Sequence, residues 1–206
     1  ESGSDRIHWE DPMLRHATSV LLGVIVWVLP ATAAELEVHL PPESTTIEFT
    51  LKATMHTVHG TASLDHADFT IDTETGEASG EAVVASASAD TENKKRDKKM
   101  HTKVLLSDAH PRIVFRARSI EGDLNPAGTS EINLTGIIEI IGVEHPVSVP
   151  IRVTMADGAV EAEASFSVPY VEWGLKDPST FVLRVGKTVP VTVRAAGITV
   201  TPSVSP

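Results

Sequence analysis

Apolar and polar residues alternate along most of the second half of this chain, with almost no helical rhythm. The segments 132–136, 147–153, 160–166 and 189–194 all repeat with period two. Neighbouring side chains on a strand leave opposite faces, so each segment has one dry face and one wet face. Strands of this kind, joined by short polar turns, predict an antiparallel sheet that closes or packs on itself. On closure, the dry faces enclose a lumen.

The same rhythm starts earlier. Residues 44–54 set Ile47, Phe49, Leu51 and Ala53 against Glu48, Thr50 and Lys52. A second strand is expected over 57–71, with its phase broken near 64–68 and Gly60 free to bend. A third, 78–89, is built from Ala, Val and Ser, whose small side chains leave room inside or permit close packing. Only 93–105 reads as helix, with Thr91 or Asn93 as cap and Met100, Val104 and Leu105 as a narrow apolar stripe. Strand 112–120 follows, and Asp157-Gly158 signals a hairpin. An irregular connection over 169–179 carries Tyr170 and Trp173. A last strand or strand pair is expected over 180–196, alternating Phe181, Leu183 and Val185 against Val182 and Arg184. The sum is an all-β domain of eight or nine strands with one helix, over 35–198, and a flexible tail over 199–206.

The N-terminal part reads differently. Met13-Leu14-Arg15-His16 is a short basic stretch, 17–29 is apolar, and Pro30-Ala31-Thr32-Ala33-Ala34 offers small residues at signal-peptidase spacing. These three parts predict a secretory signal peptide over 13–34, hence a periplasmic or secreted protein. An uncleaved N-terminal anchor is the alternative. Residues 1–12 precede a plausible initiator at Met13 and are set aside as a start-site artefact.

The 206 residues carry a formal net charge of −11 and no cysteine. Residues 1–33 hold four of the 28 acids and two of the 17 bases, which leaves −9 for the remainder. An acidic domain is poorly suited to nucleic acid, where binding needs a basic face. Without cysteine there is no disulfide framework and no thiolate metal site.

Three segments carry a resemblance to a known family. Asp90-Thr91-Glu92-Asn93-Lys94-Lys95-Arg96-Asp97 leads through Met100 to Pro111-Arg112-Ile113-Val114-Phe115, similar to a T-x-N-x-x-R-D helix followed by a P-x-I-x-F strand. Leu134–Val147 resembles a G-x-L-x-I-x-G-V-x-x-P-V hairpin. Ala164-Ser165-Phe166-Ser167-Val168, Trp173-Gly174-Leu175 and Val185-Gly186-Lys187-Thr188-Val189 complete the set. Over 35–196 the chain resembles the YceI-like family of exported polyisoprenoid-binding proteins. It departs from the family pattern at Lys98-Lys99-Met100, where a His-Leu pair is usual, and in the longer exit at 169–179. The resemblance implies an extended antiparallel eight-stranded lipocalin-like barrel with one short helix. It also implies an apolar tunnel holding a polyprenyl chain or isoprenoid quinone for carriage, storage or stress protection.

On either route the candidate lumen residues are Phe49, Leu51, Phe69, Phe115, Ile138, Ile140, Phe166, Trp173, Phe181 and Leu183. The bland reading is that these simply fill the barrel. Lys94, Lys95, Arg96, Lys98 and Lys99 stand out in an acidic chain and suit anionic headgroups or a membrane surface; otherwise they form a solvated helix face. Arg96 and Asp97 are expected to form a structural salt bridge. His56 and His59 fall on opposite faces of a strand, and no histidine pair has zinc spacing, so no metal is expected. There is no Gly-rich phosphate loop or nucleophile elbow. The expectation is a non-enzymatic binding protein without cofactor, whose ligand is an isoprenoid lipid. Its rivals are an enzyme or redox accessory acting at the barrel mouth, and a structural envelope protein with a filled barrel. The oligomeric state is left open, a homodimer included.

Overall fold

A computed structural model describes residues 35–54 and 56–202. The expected upstream segment and signal peptide, 1–34, and the end of the expected tail, 203–206, lie outside the described residues. The described chain forms one antiparallel sheet of eleven strands and a short helix. The strands are β1 (Glu35–His39), β2 (Thr45–Lys52), β3 (Thr57–Ala62), β4 (Leu64–Asp72), β5 (Ala78–Ala85), β6 (Arg112–Glu121), β7 (Thr129–Ile140), β8 (Val143–Ala156), β9 (Ala159–Val168), β10 (Val189–Ala195) and β11 (Thr199–Pro202). The helix is α1 (Lys94–Met100).

Eleven strands appear where eight were expected because three long staves are each broken in two. β3 and β4 are one stave interrupted at Ser63, with a bulge between Leu64 and His66 where the sequence lost its phase. The β3 half pairs with β2 and the β4 half with β1, so β1 and β2 form a second broken stave, kinked by the turn Pro42–Ser44. β10 and β11 pair with β2 and β1 in turn and make the third. Since β3 runs directly into β4, the order β4 to β10, then β2 and β3, returns on itself. The result is a barrel with eight staves.

Two expectations fail here. The segment from Thr199 is not a frayed tail, because Thr199–Pro202 pairs with β1. No strand spans 180–188 either; only Val189–Ala195 forms a ladder. Extended backbone in a loop repeats with period two just as a strand does, so alternation alone could not separate them.

The barrel has two unlike ends. Tight turns close the lower end, among them Asp157-Gly158, where both residues take positive φ as a two-residue hairpin requires. Long connections, 86–111 and 169–188, cover the upper end. On the outer wall, Arg116 lies 2.9 Å from Glu139, and Arg194 bridges Glu48 at 2.8 Å and Glu163 at 3.2 Å. Such exposed pairs add little stability, but they match charge across adjacent staves in this register.

Candidate ligand-binding cavity

Inward side chains in a closed barrel normally bury one another. Here Phe49, Phe69, Phe115 and Phe166 all point inward yet remain only half-buried. They border an internal cavity of about 650 Å³, within the roughly 300–1,000 Å³ usual for ligand pockets. The barrel is therefore not filled.

Backbone geometry keeps the rings off the axis. Gly60 stands opposite Phe49, and a Cβ on it would lie 2.3 Å from that ring. Gly136 lies beneath Phe115, where a Cβ would sit 2.6 Å from the ring. Each phenyl thus lies down on a glycine of the adjacent stave. Phe69 meets Phe115 edge-on, with centroids 6.3 Å apart. Small residues, Ala62, Ala82, Ala162 and Ala164, supply the remaining wall.

The cavity is long. Along β2 its lining runs from Thr45 to Ala53, a rise of about 26 Å at roughly 3.3 Å per residue. Spreading 650 Å³ over that length gives a mean cross-section of about 25 Å². That shape admits a thread rather than a globule.

Of the ten lumen candidates, Phe49, Leu51, Phe69, Phe115, Ile138, Ile140, Phe166, Trp173 and Leu183 line this cavity. Phe181 does not: it is 98% exposed at the tip of a turn. Trp173 enters from the 169–188 connection and stacks on His145, with centroids 4.4 Å apart and rings parallel to within 1°. The buried Nε2 of His145 has no hydrogen-bond partner.

The mouth gathers most of the polar lining. His56, Thr91, Arg96 and Lys99 border the cavity there, whereas Lys94, Lys95 and Lys98 are exposed and do not. α1 starts where expected, Asn93 capping it by accepting the Arg96 N–H, and it widens into a π-turn over His101–Leu105. Val104 and Leu105 of that turn pack with Tyr170 and Leu175 against Ile138 and Ile140, roofing the lumen. Arg96 and Asp97 make no ion pair with each other. Instead both hold Thr91. The guanidinium donates to the Thr91 hydroxyl at 2.7 Å and its carbonyl at 2.6 Å, while Asp97 accepts from the Thr91 N–H and hydroxyl. Partial desolvation pushes the Asp97 carboxyl up, but the bonds from Thr91 and Asn93 together outweigh it and hold it below the usual range. The expected salt bridge is therefore a clamp on a shared threonine.

The two mouth connections are also fastened. Lys99 donates to the Pro178 carbonyl at 3.1 Å. Tyr170 donates to the Gly186 carbonyl at 3.0 Å, and burial, helped by nearby Asp177, pushes its phenol up to about 12. The sequence marked Tyr170 only as part of an irregular connection and gave no sign of the Lys99–Pro178 link, because both depend on how two distant connections meet. Among the described residues no group of His, Asp or Glu is placed to hold a metal ion.

A closed antiparallel barrel with an elongated, roofed apolar cavity defines a class of ligand-holding protein. The chain belongs to the YceI-like family, whose domain model matches residues 39–196. Two solved structures share the fold. Burkholderia cenocepacia BcnA is 16% identical with a TM-score of 0.62, over 76% of this chain and 98% of its own. A polyisoprenoid binding domain from Saccharophagus degradans, implicated in plant cell wall breakdown, is 13% identical with a TM-score of 0.59, over 81% and 98%. No curated protein matches the sequence.

Proposed function

We propose that this protein binds an isoprenoid lipid, its prenyl chain threaded along the barrel and its polar end at the mouth. The single observation that carries this reading is the unfilled, thread-shaped apolar cavity. Moving an apolar chain into it removes surface from water at about 25 cal/mol per Å². A few isoprene units then offset the several kcal/mol lost in translational and rotational freedom. A wall that mixes phenyl rings with alanines suits a methyl-branched chain, and the polyisoprenoid binding domain with the same fold supports that choice. Arg96 and Lys99 are the arginine and lysine that line the cavity at its mouth and are assigned to the headgroup, whether diphosphate or quinone oxygen. The role is carriage or storage rather than catalysis. The signal-peptide pattern over 13–34 supports action in the periplasm.

Organic extraction of gently purified protein, followed by mass spectrometry, tests the reading. A prenyl chain in the extract is the expected result. An extract holding only straight acyl chains, or nothing, overturns it.

A further inference from the structure

The charge of this molecule is sorted along the barrel axis. The chain has eight lysines, and all lie at the mouth end: on the last residue of β2, on α1 and the turn after it, and in the 169–188 connection. The two mouth connections carry nine bases against six acids, in a protein that is otherwise strongly acidic. The turns of the opposite end, 73–77, 122–128 and 157–158, contain acids and no base.

At the same basic end two apolar residues stand in water. Phe181 is 98% and Val182 is 83% exposed. They form the tip of a turn closed by the Thr180 N–H to the Leu183 carbonyl, at 2.8 Å, and by the Leu183 N–H to the Thr180 hydroxyl. The turn is held to the barrel, since the Arg184 N–H donates to the Thr54 hydroxyl at 2.9 Å. Leu183, one residue beyond the tip, already lines the cavity. A firmly held apolar tip at the end of the barrel that carries the lysines is an arrangement by which a protein surface enters the headgroup region of an anionic leaflet.

We propose that the mouth end docks on an anionic lipid bilayer, with Phe181 and Val182 inserted and the α1 lysines on the headgroups. Docked this way, the cavity mouth faces the bilayer, and a lipid tail passes along Leu183 without crossing water. The inference extends the lipid-binding reading, and its test reads the docking surface without reading the cavity.

The chain has no cysteine, so a single thiol can carry a label. Val182→Cys and, at the far end, Glu74→Cys are each labelled with an environment-sensitive dye in the full chain. Each is titrated with phosphatidylcholine vesicles with and without phosphatidylglycerol. The dye at 182 is expected to brighten and shift to the blue on the anionic vesicles alone, while the dye at 74 stays unchanged. Lys94→Glu, Lys95→Glu and Lys98→Glu together, outside the cavity lining, are expected to raise the half-saturating lipid concentration by more than about tenfold, with an unchanged thermal melt. A silent dye at 182, equal responses at both positions, or equal responses to neutral and anionic vesicles would overturn the proposal. So would a response at 182 to an acidic protein but not to vesicles. Lipid extraction on the same samples reports separately on the cavity.

Discussion

Thr91 shows how little of a residue's role its own type announces. It was legible as a helix cap, but Asn93 takes that role, and the Thr91 hydroxyl joins Arg96 to Asp97. Asp97→Ala removes charge-assisted bonds to Thr91 and is expected to cost about 2 kcal/mol in denaturant unfolding. The carboxyl is held below its ordinary 3.8 in the folded state. Its contribution is therefore complete above pH 4 and is lost as pH falls through the folded value. Melting temperatures of the wild type and Asp97→Asn are expected to converge in acid; a gap that persists there contradicts the clamp. The lumen phenylalanines were legible from alternation, yet their seating on glycine was not, because it depends on the register between staves. Gly60→Ala, whose Cβ would meet the Phe49 ring at 2.3 Å and the Asp90 carbonyl at 2.7 Å, is expected to cost about 2 kcal/mol by overpacking. Unfolding by urea checks it.

At the scale of elements, period two correctly marked the continuous strands. Its lost phase near 64–68 marked the bulge after Ser63, but it failed where a loop runs extended. Ser63 divides one stave without a proline or glycine to announce it. Thr199–Pro202 pairs with β1 although it contains proline and ends the ladder, a position an edge strand tolerates. The helix was legible in extent, but its contact with the 169–188 connection was not. That contact sets how the lumen opens. Lys99→Ala removes the tie to Pro178 and is expected to speed release of a fluorescent prenyl probe several-fold, with the thermal melt nearly unchanged. An unaltered release rate in stopped-flow would show that the two connections part elsewhere.

For the whole molecule, strands with one dry face were legible in the sequence and the family resemblance implied their closure into a barrel, but the alternation did not say whether that barrel was hollow. Alternation says which face a side chain occupies and is silent on what stands across from it. The void arises from a combination: rings laid on glycines, alanines between them, and a roof of Tyr170, Leu175, Val104 and Leu105. A hollow barrel forgoes packing contacts that a solid core would gain. Filling it should therefore leave the fold intact or more stable while expelling the ligand. Native mass spectrometry of the wild type and Ala82→Phe tests this most directly, since Ala82 faces the cavity opposite Phe115. One prenyl lipid per barrel in the wild type, and a bare barrel of equal or higher melting temperature in the variant, is the predicted result. A wild type that carries no lipid, or a variant that unfolds while its folded fraction keeps the lipid, would contradict the account.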